Sequence, residues 1–278
     1  MQTELVRTTT ADGVRLNGAL NHAASSHAKV DAVICLHGVA STFYGSSLFE
    51  SLVPHLLDIG VSVLRVNTRG HDSVFPAATG RRLGAAYERV HECTLDIDAW
   101  WDNLQIRGFN RIGLLGHSLG AIKGVFHQTQ QASSKAACLV ALSPPRLSHL
   151  AFSNGPASPT YNANLSEARK RIEAGDGSAL MEATFPFPLL ITADGYLDKY
   201  GPGERYNIVK LVGDIKCQTL FTYGQRELEG AAFAGVPESL TQSAGEANIR
   251  VETIDNADHL YSGVHDDLAA RVVSWLSQ

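Results

Sequence analysis

Apolar residues fall along this chain in two alternating periods. Short runs with little polar interruption occur at VDAVICLHG (30–38), VSVLRVN (61–67), RIGLLGHS (111–118), AACLVALS (136–143), KCQTLFTYG (216–224) and NIRVETID (248–255). Most of these predict strands covered on both faces. Between them, apolar residues recur every three or four positions, at Val90, Cys93, Ile97, Trp101 and Leu104, and again at Val264, Leu268, Val272 and Trp275. That spacing predicts amphipathic helices. Residues 46–59 share the helical pattern, with Pro54 expected to kink the helix or begin its second part. Extended segments on either side of Asp12-Gly13 predict an N-terminal hairpin. Strands alternating with helices imply an α/β fold with a parallel sheet, right-handed crossovers and a ligand site at the carboxyl ends of the strands.

One stretch breaks the rhythm. Residues 144–212 begin PPRLSHLAFSNGPASPTYNAN, continue through a charged helix-like piece at 165–174, and end among aromatics and glycines. This is too long for an ordinary strand connection. It is expected to be a cap inserted over the site, leaving 1–143 and 213–278 as the core domain. Its aromatics (Phe152, Tyr161, Phe185, Phe187, Tyr196, Tyr200, Tyr206) are expected to divide between a pocket lining and the insert's own packing.

Composition narrows the function classes. With 278 residues and 44% hydrophobic content, the chain can bury one large core. A net charge of −5 without a basic run makes nucleic acid and anionic membranes poor partners. The opening MQTELVRTTTADGVRL lacks a signal-peptide apolar core, and no stretch nears the roughly 18 apolar residues of a membrane span. Cys35, Cys93, Cys138 and Cys217 are far apart and read as reduced core thiols. A soluble, cytoplasmic protein is expected.

Chemistry concentrates at Gly116-His117-Ser118-Leu119-Gly120, which directly follows an apolar run and precedes a helix-like one. A nucleophile on so tight a strand-to-helix turn adopts a strained backbone, and Gly116 and Gly120 remove the Cβ atoms that would collide there. A serine hydroxyl needs a base. His259, in the loop NADHLYSG after the last strand, falls at the same sheet edge. His22, His27, His55, His91, His127 and His149 lie on segments with no reason to face the site, and His265 is already on the terminal helix. The base in turn needs a carboxylate. Glu227, three residues beyond Gly224, is the first candidate and Glu229 the second, while Asp255 and Asp258 are expected to shape the histidine's loop. The strand ending at Ser143 offers no acid. Oxyanion donors are expected from the N–H of Leu119 and of Val39, or of Ala40, with Gly38 permitting close approach and His37 bracing the loop.

With Ser118, Glu227 and His259 in that order, the chain resembles the α/β-hydrolase superfamily, and within it bacterial serine carboxylesterases, including relatives acting on siderophore-type esters. The resemblance rests on LHGVAS (36–41), VNTRGHDSV (66–74), GHSLG (116–120), YGQRELEG (223–230) and NADHLYSG (256–263), and spans nearly the whole chain. It departs from the superfamily's Arg-Gly-x-Gly pattern at Asp72, which is expected to alter the pocket rim. The resemblance implies a mostly parallel sheet of about eight strands, helices on both faces, a small-molecule ester-type substrate and no metal or organic cofactor. His71-Asp72 lacks a third ligand of convincing spacing, and no phosphate loop or dinucleotide fingerprint is present. Thioester, lactone, amide and carbon–carbon hydrolysis use the same machinery, and a low-turnover receptor or a lyase could share the fold. A sulfonyl fluoride adduct on Ser118 separates a hydrolase from a receptor, and a burst with a chromogenic ester separates it from a lyase.

Overall fold

Each apolar run becomes a strand slightly shorter than the run itself. The computed structural model describes residues 2–24, 28–77, 80–130 and 135–278. Strands β1 (Thr3–Thr9) and β2 (Arg15–Asn21) form the expected hairpin, which turns through Gly13 at φ 83°. There follow β3 (Ala32–Leu36), α1 (Ser47–Asp58), β4 (Ser62–Val66), the short pair β5 (Phe75–Pro76) and β6 (Arg82–Leu83), α2 (Cys93–Ile106), β7 (Ile112–His117), α3 (Leu119–Thr129) and β8 (Cys138–Leu142). Next come α4 (His149–Asn154), α5 (Ser158–Glu173), β9 (Leu180–Ala183), β10 (Leu189–Thr192), α6 (Ala193–Tyr200) and α7 (Ile208–Leu211). The chain closes with β11 (Gln218–Gly224), α8 (Val236–Ser243), β12 (Ile249–Ile254) and α9 (His265–Leu276).

The main sheet has eight strands in the order β1-β2-β4-β3-β7-β8-β11-β12. Only β2 runs antiparallel to its neighbours; every other pairing is parallel. Successive residues point to opposite faces, so a strand buried on both sides must be apolar throughout. In β3, Ala32, Ile34 and Leu36 pack with α2 and α3, while Val33 and Cys35 pack with α1 and α9. Helices therefore cover both faces, as the sequence pattern required.

Pro54 lies inside α1, which continues as one helix. The buried side chains Leu48, Phe49, Leu52, Val53 and Leu56 anchor it on both sides of the proline, and Ser46 caps its start by accepting from the Phe49 N–H at 3.2 Å. Apolar packing outweighs the one hydrogen bond that proline removes.

Arg69, 1% exposed, joins distant parts of the chain. Its guanidinium meets Asp12 of the hairpin turn at 2.9 Å and Asp96 of α2 at 2.9 Å, and its N–H donates to Asp96 at 2.8 Å. The next residue, Gly70, has no room for a side chain, because a Cβ there would stand 1.9 Å from Glu88 Oε1. Asp72 holds φ at 54°, the left-handed region in which glycine is free. It pairs with His71 at 2.8 Å, and its N–H donates to Ser41 O at 3.4 Å.

Between β8 and β11, Tyr161, Tyr196 and Tyr206 are fully buried and join the same apolar cluster as Ile122 and Val125 of α3. All four cysteines are free, and burial pushes the Cys35 and Cys138 thiols up to about 12. Among the described residues, no helix is long and apolar enough to cross a membrane.

Candidate active site

The site forms at the carboxyl ends of β3, β7, β8 and β11. Ser118 sits between β7 and α3 with φ 56° and ψ −122°, a strained conformation for a residue with a side chain. Its N–H donates to Leu142 O at 2.9 Å, fixing the turn to the end of β8. The flanking glycines are sterically required. A Cβ on Gly116 would lie 2.4 Å from Gly120 O, and one on Gly120 would lie 1.9 Å from Leu36 O. Gly38 comes so close that its Cβ would be 3.3 Å from that of Ser118.

Ser118 Oγ is 3.0 Å from His259 Nε2, and His259 Nδ1 is 2.6 Å from Glu227 Oε2. Three residues far apart in sequence thus form one hydrogen-bonded line. Glu227, not Glu229, makes this contact; Glu229 is exposed. The other oxygen of Glu227 accepts from the Gly224 N–H at 2.7 Å and from Ser143 Oγ at 2.5 Å. Ser143 in turn lies 2.8 Å from the Tyr261 hydroxyl. Asp258 stays in its own loop, where its carboxylate accepts from the Leu260 and Ser262 N–H groups.

Val39 and Leu119 both line the cleft beside Ser118, and neither N–H has a protein acceptor among the described residues. Ala40, at φ 54°, lines neither cleft. His37 Nε2 accepts from the Thr68 N–H at 3.1 Å, so its Nδ1 carries the proton and donates to Gly38 O at 2.7 Å. Burial, reinforced by Lys123, holds this imidazole down at about 3, and it stays neutral as a brace.

Sequence reasoning missed His117. Its Nε2 donates to His259 O at 2.7 Å, and its ring centroid is 4.9 Å from that of His259. Burial first, and His259 second, lower it to about 3. The donor to the 259 carbonyl thus comes from the residue next to Ser118. Phe233 covers His259 with its centroid at 5.1 Å. Nothing in the spacing of Ser143, Tyr261 or Phe233 marks them; only the topology unites them.

The remaining histidines contact other parts of the fold: His22 meets Glu4, His55 meets Asp266, and His149 meets Tyr161. His127 meets Asp98, His91 accepts from or donates to Tyr206, and His265 donates to Leu260 O. His27 lies outside the described residues. Among the described residues, no group of three or more His, Cys, Asp or Glu is arranged to hold a metal ion.

A family model described as the alpha/beta hydrolase family matches residues 33–275. The chain belongs to the alpha/beta hydrolase family. Solved structures agree on the fold. An esterase of Pyrococcus furiosus superposes with a TM-score of 0.68 at 19% identity, covering 99% of this chain and 90% of that one. Est1E from Butyrivibrio proteoclasticus with ferulic acid bound gives 0.67 at 17% identity, covering 97% of each chain. The alpha/beta hydrolase GrgF from Penicillium sp. sh18 gives 0.70 at 13% identity, covering 100% of this chain and 99% of that one. At these identities the likeness is one of fold. Among curated proteins, no sequence matches this chain significantly.

Two clefts meet at Ser118 in this alpha/beta hydrolase. The larger, about 450 Å³, has a mostly apolar wall, and more than half of its lining residues come from 144–212. Phe152, Phe185, Phe187 and Tyr200 face it, whereas Tyr161, Tyr196 and Tyr206 do not. The smaller, about 320 Å³, is more polar and runs past Ser41, Ser46 and Ser47. Val39, Phe187 and His259 belong to both.

Proposed function

We propose that this chain is a serine hydrolase that cleaves carboxylic esters through an acyl-enzyme. The observation that carries the reading is the hydrogen-bonded line from Ser118 through His259 to Glu227, at the junction of two clefts. In this reading Ser118 Oγ attacks the ester carbonyl as His259 Nε2 takes its proton. The oxyanion accepts hydrogen bonds from the Val39 and Leu119 N–H groups, each worth about 3 kcal/mol of barrier lowering. His259 returns the proton to the departing alcohol oxygen, leaving the acyl group on Ser118. Water then attacks under the same base, the acid leaves, and the proton goes back to Ser118. Glu227 keeps the His259 proton on Nδ1 and stabilises the imidazolium. The Pyrococcus furiosus structure is that of a protein named an esterase, which favours esters over thioesters, lactones or amides.

In the same reading, residues 144–212 act as a cap over the core formed by 1–143 and 213–278. The larger, more apolar cleft holds the acyl part, and the more polar cleft admits water and releases alcohol.

Glu227→Gln tests the assignment. The Gly224 N–H donates to Oε1, so the amide oxygen must occupy that position, and the amide NH₂ then faces His259 Nδ1. The imidazole would place its proton on Nε2, where it can no longer accept from Ser118. The expected result is a loss of roughly 10⁴-fold in kcat on a 4-nitrophenyl ester. Wild-type turnover in this variant would rule Glu227 out.

A further inference from the structure

Lys199, at the end of α6, is 3% exposed and lies in the wall of the larger cleft together with Tyr200. Among the described residues its one carboxylate partner is Glu88, whose Oε2 is 3.4 Å away. That carboxylate is shared: Lys123 Nζ stands 2.5 Å from Glu88 Oε1 and also donates to Thr68 Oγ1 at 2.9 Å. Asp198 is occupied elsewhere, by the Val90 N–H and the Tyr206 hydroxyl. Two buried ammonium groups therefore face one carboxylate. An ammonium has three N–H donors, and among the described residues Lys199 makes no hydrogen bond other than its long one to Glu88. The Tyr200 hydroxyl also has no hydrogen-bond partner among the described residues, although its backbone carbonyl accepts from Tyr161.

A cluster built only to hold the fold together would be costly in this form, because a buried charge without full pairing is destabilising. Burial pushes the Lys199 ammonium down, Glu88 opposes that shift, and Lys123 adds to it. Burial alone would raise the Glu88 carboxyl, but the two ammonium groups hold it at about 2, so it remains ionised. Lys199 and Tyr200 both line the cleft that opens on Ser118.

We propose that Lys199, assisted by Tyr200, recognises a carboxylate at the far end of the substrate's acyl chain, making half-esters of dicarboxylic acids the preferred substrates. This rests on the reading of Ser118 as the nucleophile for ester cleavage. Ser118 and Lys199 share one mostly apolar cleft, which suits the methylene spacer of such an acyl chain, and the anion completes the pairing that Glu88 leaves unfinished. A neutral acyl chain of the same length would leave the Lys199 donors unpaired.

The test uses full-length Ser118→Ala protein and calorimetry with straight-chain dicarboxylates from succinate to sebacate, each compared with the monocarboxylate of equal carbon number. At the chain length that spans the cleft, the diacid is expected to bind roughly 10- to 100-fold more tightly. Adding Lys199→Met should remove that preference, and Lys199→Arg should restore part of it. Equal or undetectable binding of both series, or a preference that survives Lys199→Met, would overturn the proposal. Should the Met variant fail to fold by circular dichroism, the diacid-to-monoacid ratio in the Lys199→Arg protein decides in its place, since an altered but persistent preference is expected there and an unchanged ratio would count against the site. Turnover of the monoethyl esters by the wild-type protein separates the two claims. Diacid preference without turnover of any ester would end the ester reading and leave the anion site standing. Ester turnover without diacid preference would do the reverse.

Discussion

Replacing Ser118 by alanine is expected to reduce ester hydrolysis by at least about 10⁴-fold while leaving the protein folded. In the proposed reaction Ser118 Oγ is the nucleophile, and His259 Nε2 stands 3.0 Å from it. Without Oγ, under the proposed mechanism, water must attack unaided, with the Val39 and Leu119 N–H groups and the cleft left to lower the barrier. The fold has little to lose, because Oγ makes no other hydrogen bond among the described residues and alanine keeps the Cβ that already fits against Gly38. The backbone strain at φ 56° is equally present in both proteins. Thermal unfolding of the variant should therefore match or slightly exceed that of the wild type. Initial rates on a 4-nitrophenyl ester, alongside the melting curve, check both halves. Retained turnover would remove Ser118 from the chemistry.

Gly120→Ala is expected to be severe for a different reason. Its Cβ would lie 1.9 Å from Leu36 O and 2.6 Å from His37 O, both backbone atoms at the end of β3. Neither can move without lifting α3 from the sheet or displacing the loop that carries Val39. We expect a loss of about 3 kcal/mol or more in denaturant unfolding. Gly124, one turn further along α3, provides the contrast. A Cβ there meets Leu139 Cδ1 at 2.9 Å and Leu36 Cδ1 at 3.8 Å, both tips of flexible side chains. The helix gains about 1 kcal/mol from replacing glycine by alanine, so Gly124→Ala should be close to neutral. Equal stability of the two variants would mean that α3 does not press on β3 at residue 120.

The sheet was readable in the sequence because its strands are buried on both faces, which leaves no room for polar residues. VDAVICLHG and RIGLLGHS announce β3 and β7 in this way. Ser118 was readable because a turn this tight demands glycine on both sides. His259 and Glu227 were readable from their places just beyond the ends of strands, where a parallel sheet gathers its loops at one edge. The geometry brings those three side chains together.

What stayed hidden depends on contacts between distant segments. Glu88, Lys123 and Lys199 come from three parts of the chain, and nothing in their neighbours signals that they meet. Ser143 was read only as the end of a strand lacking an acid, yet its hydroxyl donates to the Glu227 carboxylate. His117 looked like the variable residue of a short motif, and its bond to His259 O appears only when the final loop folds over β7.

The most direct measurement is labelling with phenylmethylsulfonyl fluoride followed by peptide mass spectrometry. A serine whose proton is drawn off by an adjacent imidazole should take up a single sulfonyl group at position 118, and the His259→Ala protein should remain unmodified under the same conditions. An unlabelled native protein, or adducts scattered over other hydroxyl side chains, would contradict the claim that residues 118, 227 and 259 act as one reactive unit.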